Sequence, residues 1–224
     1  MGEVVAGILP LTIGIALSPE AILLVIVILS ADHPGTKGFL FITGWLLGLA
    51  ALAALLFYIF GTRGALPEDP KKGIFVVRLV AGLLLLYMSY RFARQAPRVG
   101  EIPAMPKRAR IRLPVNHFKA LWYGFLRALV GLRPIVLTLS AVVIVSRAPI
   151  TTRDAAIALG VFVLFSSMLV LAPLVLHLLR GDKASTTLSF WKNWAIANNA
   201  TVMAVLLFIL GIVQFANGIG GLVS

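Results

Sequence analysis

The stretch ALSPEAILLVIVILSADHP, residues 16–34, has a near double in GLRPIVLTLSAVVIVSRAP, residues 131–149. Each carries a proline inside an apolar run, and each proline has a charged neighbour: Glu20 follows Pro19, and Arg133 precedes Pro134. A proline within a helix removes one backbone hydrogen bond and clashes with the turn before it. A shift of 115 residues lays Pro134 over Pro19, Leu132 over Leu17, Arg133 over Ser18, Pro149 over Pro34 and Thr151 over Thr36. What surrounds the two copies decides whether they are accidents of a greasy composition or two halves of one device.

The surroundings are those of a membrane protein. The chain is 60% hydrophobic and only 12% charged, with a mean hydropathy of +1.00, against about 25% charged residues in soluble proteins. Apolar runs near the length needed to cross about 30 Å of hydrocarbon recur at roughly 4–30, 38–61, 74–95, 117–146, 154–179 and 194–222. Turn and breaker residues separate them, as in ADHPGTK and GTRGALPEDPKKG. The net charge of +12 comes from basic residues standing between these runs, which points to topology and lipid headgroups, with nucleic acid not expected as a partner. The first Lys or Arg is Lys37, so no basic leader precedes the first run, and that run is expected to remain as a transmembrane helix.

With the N-terminus outside, the cytoplasmic loops hold eleven Lys and Arg and the outer loops five. The bias predicts a multi-pass plasma-membrane protein with both termini extracytoplasmic. Three runs separate the two quoted copies, so the second crosses upside down. The expectation is an all-α membrane protein of six transmembrane helices, a 3+3 inverted repeat with helices 1 and 4 broken at prolines. Residues 1–95 form the first repeat, 96–116 a basic, proline-rich cytoplasmic loop, and 117–224 the second repeat.

A broken helix survives in lipid only inside the protein or beside a cavity, and half-helix ends near the midplane are where such repeats bind substrate. Harmless kinks are the plain alternative, since proline is common in membrane helices. The charges favour a site, because a charge at a helix centre costs roughly 2.5–3.5 kcal/mol on insertion scales and normally faces an interior or a partner. The candidate substrate-binding set is therefore Ser18, Pro19, Glu20, Arg133 and Pro134, with Glu20 and Arg133 expected to face each other, either as a structural pair or around a ligand. Asn198 and Asn199 enter the last run, to line a cavity or bond between helices. Lys107, Arg108, Arg110 and Arg112, in PKRARIR, form a candidate headgroup-binding cluster or a topology signal.

Asp32 and His33 read as helix-capping residues, His117 and His177 as single interfacial side chains, and Trp122, Trp191 and Trp194 as an aromatic belt. No metal site is expected from three unpaired histidines and no cysteine. No nucleophile–base set, paired catalytic carboxylates or phosphate-cradling loop is visible, so neither an enzyme nor a cofactor is expected.

IGIALSPEAILLVIVILS (13–30) with GFLFITGWLLGLA (38–50), GFLRALVGLRPIVLTLSAVVIV (124–145) and WAIANNATVMAVLLFILGIVQFANGIGGL (194–222) together cover over half the chain. They resemble the first two, fourth and last spans of the GAP family, which includes the sulfolipid-addressing (Sap) and glycopeptidolipid-addressing proteins of the LysE transporter superfamily. The resemblance implies a six-span exporter of cell-envelope glycolipid in an actinobacterial plasma membrane. In the fourth span the family reads Asn-Pro-Lys-Asn, whereas this chain has Arg133-Pro134-Ile135-Val136, with the basic charge before the proline.

The leading expectation is a secondary transporter or flippase for an amphipathic, anionic lipid. A small-solute exporter for an amino acid or cation is the first alternative, and a non-transporting accessory subunit of a lipid export or synthesis machine is the second. Expected partners are membrane lipids, the amphipathic substrate, and either a second copy of the chain or a larger envelope-export machinery.

Overall fold

The computed structural model describes residues 2–30, 32–62, 70–96 and 116–223. Among these residues the secondary structure is entirely helical. Eight α-helices follow one another: α1 (Gly2–Ala16), α2 (Pro19–Ile28), α3 (Pro34–Phe57), α4 (Pro70–Ala93), α5 (His117–Leu129), α6 (Leu132–Arg147), α7 (Thr152–Arg180) and α8 (Ala184–Val223). A π turn, Tyr58–Thr62, closes α3, and a 3₁₀ turn, Gly181–Lys183, precedes α8. Four of the helical stretches are long and apolar enough to cross a membrane alone, and there are up to six spans if α1 with α2 and α5 with α6 each count as one.

Those two pairs are sharply bent, by 51° between α1 and α2 and by 57° between α5 and α6. Pro19 is the first residue of α2, where its missing N–H is one of the four a helix leaves unpaired anyway. Its ring is incompatible with a helix continuing through from the preceding turn, and α1 stops at Ala16. Pro134 is placed differently. The second bend falls at Val130 and Gly131, and Pro134 is the third residue of α6, within its first turn. Gly131 is extended, with φ −65° and ψ 122°, and a Cβ there would lie 2.6 Å from an Arg127 guanidinium nitrogen and 2.9 Å from the Pro134 ring. Glycine makes the tight corner; proline starts the helix after it.

Apolar side chains point both ways. Trp45, Phe41, Phe162, Ile8, Ile15 and Leu137 are fully buried, while Phe39, Leu47, Leu164, Met168 and Phe208 stand on the outer surface. Helices apolar on every face belong in lipid. There, association relies on close packing and a few interhelical hydrogen bonds, because lipid tails are as apolar as leucine. Small residues supply that packing. α3 and α5 lie side by side and parallel, Gly44 and Gly48 against the backbone of Leu121 and Phe125, Gly124 against that of Phe41. α4 and α8 pack antiparallel, Gly82 against Phe215, Gly211 against Leu86 and Gly218 against Leu79. The Ser89 hydroxyl donates across this second seam to the Ala204 carbonyl at 2.7 Å.

Candidate functional site

The bends bring their polar residues together. The Arg133 guanidinium, 5% exposed, donates from one terminal nitrogen to the Ser18 hydroxyl and contacts the Met203 sulfur of α8 with the other. Ser18 is the N-cap residue of α2, yet its side chain makes no capping hydrogen bond, being engaged by Arg133 instead. Arg133 Nε is buried without a partner. A guanidinium has five donors and no acceptor, so a hydroxyl and a thioether leave most of its demand unmet.

Glu20 does not pair with Arg133. Its carboxylate makes its ion pair with Arg127 of α5, with side-chain exposures of 28% for the arginine and 37% for the glutamate. The expected Glu20–Arg133 bridge is thus corrected: the bend carries Arg127 across to the start of α2, whereas Arg133, beyond the corner, is directed to Ser18 and α8. Both arginines and Glu20 nevertheless line one cavity of ≈ 200 Å³, together with Met88 and Phe92 of α4 and Leu132. Met88 and Phe92 belong to the last two turns of α4, so the cavity lies toward that helix's C-terminal end.

Arg127 is the residue that sequence reasoning missed. It stands ten residues into the fourth apolar run, and the cost of a charge inside lipid applies to it as it does to Glu20 and Arg133. Met88, Phe92 and Met203 carry no such signal, because apolar residues inside apolar helices look alike until the helices are packed.

Pro19 and Pro134 are buried beside the cavity as helix starters. Asn198 is not part of it: its amide donates to the Trp194 carbonyl of its own helix at 2.9 Å. The Asn199 side chain lies outside the described residues, as do Lys107, Arg108, Arg110 and Arg112. His33 takes the N-cap position of α3 with a left-handed backbone, φ 52°, and no side-chain cap bond, so the capping expected there is not made through the imidazole. Its ring centroid lies 6.1 Å from that of His117, a proximity the sequence did not indicate. Trp122 stacks between Phe118 and Phe125 on the outer side of α5, with centroids 6.4 and 5.4 Å away.

The arrangement offers two guanidinium groups against one carboxylate in a partly enclosed space. No match to the chain is found among curated proteins or among solved structures. Residues 8–220, from the middle of α1 to the last turns of α8, match the family described as "Sap, sulfolipid-1-addressing protein", and the chain belongs to that family.

Proposed function

We propose that the protein is a secondary transporter, a flippase that exports an amphipathic anionic lipid of the cell envelope across the plasma membrane. The observation that carries this reading is Arg133: a nearly fully buried guanidinium with no carboxylate partner among the described residues, facing a cavity in which Glu20 is already paired with Arg127. Burying an unpaired charge is costly, and a sulfated, phosphorylated or carboxylated headgroup would supply the missing countercharge through charge-assisted hydrogen bonds.

A lipid is favoured over a small solute by the cavity's walls. Among the described residues α4 and α5, which flank it, do not pack along each other, and an opening between them would let acyl tails stay in the bilayer while the headgroup enters. The reading includes the 3+3 inverted repeat with its first and fourth spans broken. Two supports are Ser18 with Arg133 and Ser89 with Ala204, pairs that are each 115 residues apart and in contact. A residue meets its own repeat counterpart only beside a two-fold axis. It also includes both termini outside, which directs the cavity to the cytoplasmic face, and transport without catalysis.

The test is the purified protein alone in liposomes, with a fluorescent sulfated or phosphorylated glycolipid beside a zwitterionic analogue. Selective movement of the anionic lipid, lost in Arg133→Met, is the expected result. No movement by the folded wild-type protein would make it an accessory subunit, and transport of a free amino acid or cation in place of lipid would make it a small-solute exporter. A lipid inventory of the cell envelope with and without the gene then identifies the cargo.

A further inference from the structure

The shift of 115 residues relates α1 and α2 to α5 and α6, α3 to α7, and α4 to α8. Most helix contacts then come in matched pairs. α1 on α7 mirrors α5 on α3, α2 on α8 mirrors α6 on α4, and α2 on α7 mirrors α6 on α3. Among the described residues four contacts have no mirror, two between consecutive helices (α5 on α6 and α7 on α8) and two made by α1. α1 packs on α6 and α8, whereas its counterpart α5 does not pack along α2 or α4, and is linked to α2 by the Arg127–Glu20 ion pair. The cavity is the space this leaves. Apart from contacts between consecutive helices, the departure from symmetry lies in how α1 and α5 are seated, one closed and one open.

From this we infer a second cavity on the opposite membrane face, formed when α5 closes and α1 swings away. It is lined by the repeat counterparts of the first: Thr12, Leu17, Ser18, Ile135, Met203 and Leu207. In the present conformation four of the six residues of the site are shut away, with Thr12 3%, Ser18 1%, Met203 0% and Leu207 1% exposed, while Leu17 and Ile135 are half-buried. Gly14 seals it, since a Cβ there would come within 2.5 Å of Leu210 and 2.8 Å of Leu137. Arg133 and Ser18 exchange places under the shift and touch each other, so the guanidinium borders both cavities and an anion held on it has a route to either face. The chemistry of the two sides differs: Thr12 replaces Arg127 and Ile135 replaces Glu20. The second cavity therefore offers the headgroup the one guanidinium of Arg133 and no carboxylate, the same net charge as the first, without the Glu20–Arg127 pair beside it.

This inference rests on the transporter reading, and its test is independent of any cargo. The chain has no cysteine, so single cysteines can be placed at Thr12, Leu207, Phe92 and, as a core control outside both cavities, Ala158. Each folded variant, verified by its elution and melting in detergent, is reconstituted in vesicles of known orientation and exposed to a membrane-impermeant thiol reagent on one face at a time. Phe92→Cys should react from the face of the α4 C-terminus. Thr12→Cys and Leu207→Cys should react from the other face. A conformer populated at about 0.1–10% gives them a rate about 10- to 1,000-fold below that of Phe92→Cys and above that of Ala158→Cys. Thr12→Cys is nearly isosteric and keeps the test valid if Leu207→Cys fails to fold. Protection of position 12 at the level of Ala158→Cys, or its labelling from the same face as Phe92→Cys, overturns the second cavity. A chain that labels on both faces yet moves no lipid keeps the two-faced cavity and removes the cargo.

Discussion

Arg133 and Arg127 are six residues apart and in different electrostatic situations, so they predict different mutant phenotypes. Replacing a buried charge by a well-packed apolar side chain is often neutral or stabilising by about 1–4 kcal/mol. Arg133→Met leaves the Ser18 hydroxyl without its partner, a loss of about 1 kcal/mol, so the melting temperature in detergent should stay level or rise while anion-selective transport is lost. Full transport by Arg133→Met would remove the residue from the site. Glu20→Gln strands Arg127. A fully buried pair broken on one side costs about 3–5 kcal/mol, but exposures of 28% and 37% let water take part, and about 1–2 kcal/mol is expected. The double variant Glu20→Gln with Arg127→Met should recover that stability without recovering transport, because the cavity has then lost one of its two cations; recovery of both would make the pair purely structural. The sequence exposed Glu20 and Arg133 as intramembrane charges, but which cation Glu20 meets depends on a 57° corner at Gly131, and no spacing along the chain encodes that angle.

At the scale of the helices, glycine positions separate packing from propensity. Gly44 and Gly124 let α3 and α5 approach until a Cβ on either would strike the other's carbonyl oxygen, of Leu121 and Phe41 respectively. Backbone does not yield as a flexible side chain does. Overpacking costs typically 1–3 kcal/mol, so Gly44→Ala and Gly124→Ala should each destabilise the protein by about 2 kcal/mol or more. Gly160 of α7 is exposed, and a Cβ there meets nothing within 4 Å. Gly160→Ala should raise stability by about 0.5–1 kcal/mol through helix propensity alone. Thermal melts of the three variants in one detergent decide it; equal and small effects would show that the α3–α5 seam relaxes freely. The existence of these helices was legible from the apolar runs, and most ends fall within a few residues of the breaker segments. α8 is the exception, starting at Ala184, ahead of the apolar run expected from 194, because the polar stretch after Lys183 continues the helix. A 51° bend stands beside Pro19, whereas the second lies three residues ahead of Pro134, at Gly131, where a Cβ would crowd Arg127 and the Pro134 ring.

For the whole molecule, hydropathy and the K/R distribution carry the plan of the chain, because the bilayer leaves few solutions to an apolar backbone. Side-to-side packing was not legible in the same way, since a lipid-facing leucine and a core leucine are chemically the same. Orientation is the property on which the cavity's role turns. Met88 and Phe92 place the cavity toward the C-terminal end of α4, and the basic segment containing Lys107, Arg108, Arg110 and Arg112 follows that end in the chain. If this segment is cytoplasmic, as eleven basic residues against five predict, the cavity loads from the inside, as the proposed export needs. Single cysteines at Ala65 and Ala109, one before and one after α4 in the sequence, give the measurement in a chain with no cysteine of its own. Ala65→Cys should react with an impermeant reagent added outside intact cells, and Ala109→Cys only after the membrane is opened. The reverse pattern would turn the cavity outward and make the protein an importer or a receptor for its lipid. Phe92→Cys is expected to follow Ala109→Cys in either case, because residue 109 lies in sequence between the end of α4 and the start of α5.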